Sequence, residues 1–276
     1  MKFKMIIPLK YHSRLGTIRR NFRNKFSKRI KLNEKLIIIV GSPHKVGSTW
    51  VFKILSDLLY FDDINPSKNK YNGKTKDNIP LQSLLNYFEK LNPKIGYILK
   101  SHSNPLESLP KYIKQITVLR DPRDVIVSAA NHLSFLPVEL GGWGKEFSAK
   151  SQKDQILELI EKANFIYDLF INWSNCENCL VLRYEELKRD PLTEINKIVT
   201  YCNLNIKLDR IKLAITKNDF QKKSGRNPGD IKSGTFLRKG IVGDWKNVFD
   251  KEMLEYLYEN ENGRWRKLIN DLEYDI

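Results

Sequence analysis

The sequence contains few of the residues that mark non-globular proteins. Its 276 residues include only three Cys, 14 Gly and 11 Pro. This composition excludes a disulfide scaffold, a collagen-like repeat and a low-complexity chain. With 41% hydrophobic and 29% charged residues, the chain has the composition of a globular protein. Its length suits one large domain with a substantial core.

Long apolar runs are also missing. The apolar stretch nearest the start, residues 5–9, is interrupted by Pro8. It is far shorter than the roughly 20 residues that a membrane-spanning helix needs. It is also too short for the apolar core of a secretory signal peptide. We therefore expect a cytoplasmic protein.

The three cysteines do not form a metal-binding pattern. Cys176 and Cys179 are spaced as CxxC, but Cys202 stands alone and no second pair of Cys or His follows at a suitable spacing. We expect reduced thiols and no metal.

Acidic residues are in deficit, with 32 Asp and Glu against 48 Lys and Arg and a formal net charge of +16. Such an excess favours an anionic partner: nucleic acid, acidic lipid or a phosphorylated small molecule. The first 35 residues hold twelve Lys and Arg and one Glu, which leaves a net charge of only +5 for the other 241. We therefore divide the chain into a basic N-terminal extension, residues 1–34, and one domain, residues 35–276.

Apolar residues recur every three to four positions from Tyr11 to Ile30, which is the pattern of a basic amphipathic helix. Such a helix binds an anionic membrane surface or packs on the domain. The alternative is a solvated basic arm that keeps a few residues against the core. The first interpretation predicts peripheral membrane contact through residues 1–34.

Strand and helix patterns alternate through the rest of the chain. Continuous apolar runs, typical of buried parallel strands, precede segments with the apolar spacing of helices. This order predicts an α/β fold, a single domain with a mainly parallel central sheet flanked by helices and ligands bound beyond the carboxyl ends of the strands. The predicted strands are 35–41, 95–99, 115–119 and 179–183; the predicted helices are 49–59, 81–91, 124–131, 154–173, 191–202, 208–215 and 250–258; the stretches 65–78 and 222–235 are predicted surface loops.

The loop after the first predicted strand, Gly41-Ser-Pro-His-Lys-Val-Gly-Ser-Thr-Trp50, has the composition of a P-loop-like phosphate cradle. Its glycines let backbone N–H groups turn inward, the helix start adds a positive dipole end and Lys45 adds a charge. In ATP- and GTP-hydrolysing enzymes the lysine directly follows the second glycine, whereas here Lys45 precedes Gly47. This placement argues against ATP or GTP hydrolysis, and the loop alone fits either a phosphate site or a plain tight turn.

Two more segments carry cations at suitable places. Arg120-Asp-Pro-Arg-Asp-Val-Ile-Val-Ser128 puts an arginine at a strand end and a serine in the next helix, a pair suited to gripping one phosphate. Arg238-Lys-Gly-Ile-Val-Gly-Asp-Trp-Lys-Asn-Val-Phe249 puts adjacent cations on a Gly-flanked loop. With these three segments the chain resembles the sulfotransferases that use 3'-phosphoadenosine 5'-phosphosulfate (PAPS), more closely their cytosolic branch, over most of residues 35–260.

The resemblance implies a role for each matching residue of this sequence. The groups are the ligands of the 5'-phosphosulfate, Lys45, Gly47, Ser48 and Thr49; the ligands of the 3'-phosphate, Arg120, Ser128, Arg238, Lys239 and Gly240; and the residues around the nucleotide base, Trp50, Tyr184, Phe220 and Phe236. The general base would be His102, because Lys100-Ser101-His102 resembles the Lys-Thr-His string of the family.

The chemistry of sulfuryl transfer suits these residue types. As in phosphoryl transfer, catalysis is mostly positioning and stabilisation of charge on the leaving group. Lys45 would stabilise the bridging oxygen as it leaves, and Lys100 would support it. A histidine that is neutral at cytoplasmic pH takes the proton of the acceptor.

Two other histidines, His44 and His132, are alternatives to His102 as the base. His44 also lengthens the phosphosulfate loop by one residue, because familiar members of the family have the lysine directly after the proline that corresponds to Pro43. The added residue is expected to shift the first turn of the loop.

The sequence therefore predicts a PAPS-dependent sulfotransferase that acts by in-line displacement on a hydroxyl or an amine of an organic acceptor. The alternatives are a P-loop nucleotide or small-molecule kinase and a non-catalytic basic module that binds nucleic acid or a membrane surface. No nucleic-acid-reading motif is present, so we expect no such partner. The acceptor would be a small molecule or lipid-linked. A partial dimerisation string, Lys246-Asn-Val-Phe-Asp-Lys251, leaves a homodimer open.

Overall fold

The computed structural model describes residue 32 and the ranges 34–64, 79–231 and 237–275. The predictions for residues 1–31, for the surface loop at 65–78 and for Phe236 concern residues outside these ranges.

A single five-stranded sheet forms the centre of the described part, and all its neighbouring strands are parallel. The strand order is β2-β3-β1-β4-β5, so the first long strand lies in the middle. Every residue of that strand is buried, as its run of isoleucines requires. The predicted α/β fold with a mainly parallel sheet is confirmed. The strands are β1 (Leu36–Gly41), β2 (Asp62–Asp63), β3 (Gly96–Ser101), β4 (Ile113–Leu119) and β5 (Cys179–Arg183).

Helices cover the sheet, and none within the described ranges is long and apolar enough to cross a membrane. Short 3-10 turns lie at Leu81–Leu84, Val138–Leu140 and Asp244–Asn247. The α-helices are α1 (Ser48–Leu59), α2 (Leu85–Glu89), α3 (Pro122–Phe135), α4 (Gly144–Ala149), α5 (Gln152–Lys162), α6 (Asn164–Ser174), α7 (Tyr184–Arg189), α8 (Pro191–Tyr201), α9 (Leu208–Lys217), α10 (Phe220–Ser224) and α11 (Lys251–Asp271), the last kinked at Asn260–Gly263.

The prediction of one helix over 154–173 is wrong. The chain leaves helical geometry at Ala163, which ends α5 and begins α6. The apolar spacing continues across this residue because each helix buries its own stripe, so periodicity alone does not reveal the break. The predicted helix at 81–91 is likewise a 3-10 turn followed by the short α2.

Several short elements were not predicted, among them α4 and the 3-10 turns at Val138–Leu140 and Asp244–Asn247. The strand β2 has only two residues, and α7 directly follows β5 without an intervening loop. The region 222–235, predicted as a loop, begins within α10, which ends at Gly225 in the left-handed conformation. Short elements such as these carry too few residues to show a periodic pattern.

The end of β1 packs directly against an indole ring. A Cβ on Gly41 would lie 2.1 Å from a ring carbon of Trp173, so a side chain at this position would collide with the ring. Trp173 is fully buried, and its Nε1 donates a hydrogen bond to the Ser103 carbonyl at 3.0 Å. The tryptophan of α6 therefore fixes the end of β1 relative to the segment that follows β3.

Candidate active site

The carboxyl ends of the parallel strands meet at one edge of the sheet, and a cavity of about 490 Å³ lies there. Every sequence-predicted site residue within the described ranges lines this cavity. They are Lys45, Gly47, Ser48, Thr49, Trp50, Lys100, His102, Arg120, Ser128, Tyr184, Phe220, Arg238, Lys239 and Gly240. The structure thus brings these residues together, while their individual roles stay predictions.

The loop between β1 and α1 bends through two left-handed residues, Lys45 at φ 64° and Gly47 at φ 99°. A Cβ on Gly47 would lie 2.6 Å from the Tyr184 ring, so only glycine lets the loop approach this tyrosine. No side chain of the described part caps the N-terminus of α1. Its first N–H groups and its positive dipole end therefore suit an anionic ligand.

The carboxylate of Asp124 joins α3 to the loop that carries Arg238–Gly240. One oxygen accepts hydrogen bonds from Arg120 at 3.1 Å and from the backbone N–H of Gly243 at 2.9 Å. The other accepts from the backbone N–H of Trp245 at 2.9 Å. The side chain of Asp124 is 0% exposed. Sequence reasoning missed this residue, although a carboxylate four positions after Arg120, in the first turn of the following helix, was an available signal.

A second carboxylate, Asp244, holds two of the predicted phosphate ligands side by side. It accepts a hydrogen bond from Lys239 at 2.6 Å and pairs with Arg238. Burial acts against ionisation, but the bond from Lys239 and the charge of Arg238 hold the pKa of Asp244 below its ordinary value. The carboxylate therefore stays charged and partly offsets the two cations.

Within the cavity lining, two buried N–H donors have no hydrogen-bond partner among the described residues. They are the Nε of Arg120 and the indole Nε1 of Trp50. Nη2 of Arg120 donates to Asp124 and to the Ile241 carbonyl, and Nη1 donates to the Lys45 carbonyl at 3.5 Å. The guanidinium carbon lies 4.3 Å from the centre of the Tyr184 ring. Because an unsatisfied buried donor is costly, these atoms fit a ligand that carries acceptor groups.

The His102 ring is held by hydrogen bonds at both nitrogens. Its Nδ1 lies 2.9 Å from the Ser42 carbonyl, which can only accept, so Nδ1 carries the hydrogen. Its Nε2 lies 2.9 Å from the ammonium of Lys100 and therefore presents its lone pair. Desolvation and the charges of His44 and Lys100 hold the pKa of His102 well below its ordinary value. The imidazole is neutral at pH 7 and able to accept a proton.

The cavity also depresses the pKa of Lys45, to about 7. Desolvation is the main cause, and the nearby charges of Lys100 and Arg120 add to it. His132 lines the same cavity, and desolvation together with Lys45 and Lys100 lowers its pKa to about 4. An anion in the cavity would relieve this crowding of positive charge.

Apolar side chains that sequence reasoning left out complete the lining, namely Leu133, Leu136, Phe165 and Ile166. They stand at ordinary helical spacing, which is typical of core residues and gave no signal of a site. A second, wider cleft of about 1130 Å³ shares His44, His102 and Phe165 with the cavity. The candidate base therefore lies where the two spaces meet.

Known sulfotransferases match this chain in sequence. The family model of the sulfotransferase domain matches residues 35–260. Human sulfotransferase 6B1 is 28% identical over 228 residues, which cover 78% of this chain and 71% of that protein. Rat sulfotransferase 1E1 is 28% identical over 247 residues, which cover 81% of this chain and 81% of that protein. The guinea pig 3-beta-hydroxysteroid sulfotransferase is 27% identical over 259 residues, covering 83% of this chain and 82% of its own.

Two solved structures share the fold. A mouse sulfotransferase, SULT7A1, complexed with PAP superposes with a TM-score of 0.57 at 20% identity and covers 88% of this chain and 90% of its own. Retinol dehydratase in a complex with retinol and PAP superposes with a TM-score of 0.56 at 19% identity. The superposition covers 91% of this chain and 84% of retinol dehydratase. Neither the kinase alternative nor the nucleic-acid-binding alternative finds support among these relatives.

The Asp124 network predicts a large loss of stability on substitution. Asp124→Asn should lower the free energy of unfolding by about 3 kcal/mol, because it leaves the Arg120 charge uncompensated in a buried setting. Urea denaturation measures the change. The control is Glu255→Gln, which breaks the exposed ion pair with Lys251 and should cost less than about 0.5 kcal/mol. Equal losses in the two variants would contradict the structural role given to Asp124.

Proposed function

Because the chain belongs to the sulfotransferase family and so transfers a sulfuryl group from PAPS, we propose that His102 is the general base and that three cationic segments hold the donor. The observation that carries the proposal is the meeting of these segments with a neutral, hydrogen-bonded histidine in one cavity. The acceptor is a small organic molecule with a hydroxyl or an amine.

The donor has two anionic groups, the 5'-phosphosulfate and the 3'-phosphate. The cations of the cavity would bind them as two separate sets. Lys45, with Gly47, Ser48 and Thr49, would hold the 5'-phosphosulfate at the uncapped start of α1. Arg120, Ser128 and the segment 238–240 would hold the 3'-phosphate, and the unpartnered Nε of Arg120 supports this assignment. The fork of a guanidinium matches the paired oxygens of a phosphate.

The nucleotide base would lie among aromatic rings. Trp50 and Tyr184 contact each other edge to face with ring centres 6.4 Å apart, and both line the cavity. A Cβ on Gly240 would lie 2.4 Å from the Phe220 ring, so the loop backbone packs directly on this phenylalanine. Flat apolar surfaces of this kind suit a purine ring.

In the proposed step, the acceptor oxygen or nitrogen attacks sulfur as its proton moves to His102 Nε2. The bond between sulfur and the bridging oxygen breaks, and the negative charge that develops on the departing phosphate is stabilised by Lys45. In the free protein Lys100 donates to Nε2 at 2.9 Å. The sulfuryl oxygens compete for this ammonium, which releases the Nε2 lone pair to take the proton.

Substitution of the base tests the proposal. His102→Ala should lower kcat by at least about a hundred-fold, which is the usual contribution of a general base. The Kd for 3'-phosphoadenosine 5'-phosphate (PAP), measured by isothermal titration calorimetry, should stay close to the wild-type value because the base does not hold the nucleotide. His132→Ala is the comparison. Retention of activity in H102A together with its loss in H132A would assign the base to His132 instead.

The depressed pKa of Lys45 predicts a pH-dependent affinity. Below pH 7 the lysine is charged in the free protein, and above about pH 7 it is neutral. The bound anion favours the charged form, so PAP binding should take up a proton at pH 8 and weaken from pH 7 to pH 9.

Calorimetry in buffers of different ionisation enthalpy measures the proton uptake directly. Lys45→Arg is the matched control, because arginine remains charged throughout this range. K45R should bind PAP with little pH dependence and no proton uptake. The same dependence in wild type and K45R would show that another group is responsible.

The basic extension supports a proposal about location, on the cytoplasmic face of a membrane and next to a lipid-linked acceptor. The first 35 residues hold twelve of the 48 Lys and Arg of the chain, a density that attracts anionic headgroups. Co-sedimentation with phosphatidylserine-containing vesicles should be strong for the full chain and absent for a variant without residues 1–34. Vesicles of phosphatidylcholine alone are the control. Equal binding by the two proteins would contradict the proposal.

A further inference from the structure

The ring of the candidate base, His102, contacts the His44 ring, which in turn contacts Phe165. The His44 ring is stacked on the His102 ring with centres 4.1 Å apart and planes 25° apart. Phe165 contacts His44 edge to face, with ring centres 5.7 Å apart. His44 belongs to the loop after β1, His102 follows β3, and Phe165 lies in α6. His44 thus connects the donor loop with two other elements at the reaction centre.

His44 is also the residue that distinguishes this loop from the pattern of its family. It stands between Pro43 and Lys45, where the familiar pattern has no residue. The next residue, Lys45, has a left-handed backbone at φ 64°, a conformation that costs free energy for any residue other than glycine. The strained turn thus directly follows the added residue, and the side chain of His44 lies against His102.

Hydrogen bonds alone do not fix the orientation of an imidazole. The bonds from His102 to the Ser42 carbonyl and from Lys100 lie at the ring edge, at Nδ1 and Nε2. They oppose sliding in the ring plane but restrain tilting out of it only weakly. The stacked ring of His44 covers one face and opposes that tilt.

We propose that His44 is a positioning residue for His102, so that the loop which grips the donor also sets the orientation of the base. This inference rests on the proposed role of His102 as the base. The added residue would then orient the base in addition to lengthening the loop.

The groups around His102 also affect its protonation. The titratable groups that face His102 are His44 and Lys45 from the loop and Lys100 from β3, and all three hold its pKa down. A proton on His44 opposes one on His102, because two positive rings in contact repel each other. Removal of His44 should therefore raise the pKa of His102 and move the acid limb of the pH–rate profile to higher pH.

Two variants separate the stacking from the charge. His44→Phe keeps a flat ring against His102, so it should retain most of the wild-type kcat at pH 8 while its acid limb moves upward. His44→Ala removes the ring as well, and kcat should fall about ten-fold through misplacement of the base. The Kd for PAP should change little in either variant. Equal losses of kcat in H44F and H44A, or a loss that appears only in the Kd, would overturn the proposal.

Nitrogen NMR of histidine-labelled protein provides a readout that does not depend on turnover. The His102 signals, assigned from H102A, should show the Nδ1–H form in wild type and H44F, and a mixture of the two neutral forms in H44A. His132→Phe is the matched control, because it removes a histidine of the same cavity whose ring contacts Phe135. H132F should leave the His102 signals unchanged.

The outcomes distinguish the two proposals. If H102A remains active, the proposed base is wrong, yet the NMR comparison still reports whether His44 orients that ring. If H102A is inactive but the His102 signals are identical in wild type, H44F and H44A, His44 does not position the base. The inference would then fail while the proposed function stands.

Discussion

The crowding of positive charge around one cavity is the constraint on which the rest of the site depends. Eight Lys and Arg residues line this space, and like charges held out of water destabilise one another. The protein reduces the cost in three ways. It pairs cations with the buried carboxylates of Asp124 and Asp244, it keeps His102 neutral, and it lets Lys45 titrate near pH 7. An anionic ligand in the cavity would complete the balance of charge.

The parallel sheet explains why the cations meet at all. The relevant segments are far apart in the chain, but three of them follow the ends of β1, β3 and β4, which the topology places side by side. The fourth, the loop around Arg238, follows no strand, and the carboxylate of Asp124 ties it to the same edge. Strand register and one buried carboxylate thus together assemble the site.

Much of this could be read from the sequence, because the signals were local. A buried run such as Leu36–Gly41 predicts a strand, and the three cationic strings predict a common anionic ligand. Asp124, Asp244 and the apolar lining were missed, because their importance lies in contacts with distant residues. The stacking of His44 on His102 depends on how one added residue turns the loop, and a linear pattern does not contain that information. The break at Ala163 was hidden because both of its helices bury apolar residues.

The contact between Gly41 and Trp173 makes two positions interdependent over evolutionary change. A larger residue at 41 is compatible with the fold only if the indole is lost, and a smaller ring at 173 would leave a void beside the end of β1. We therefore expect substitutions at positions 41 and 173 to be correlated among homologues.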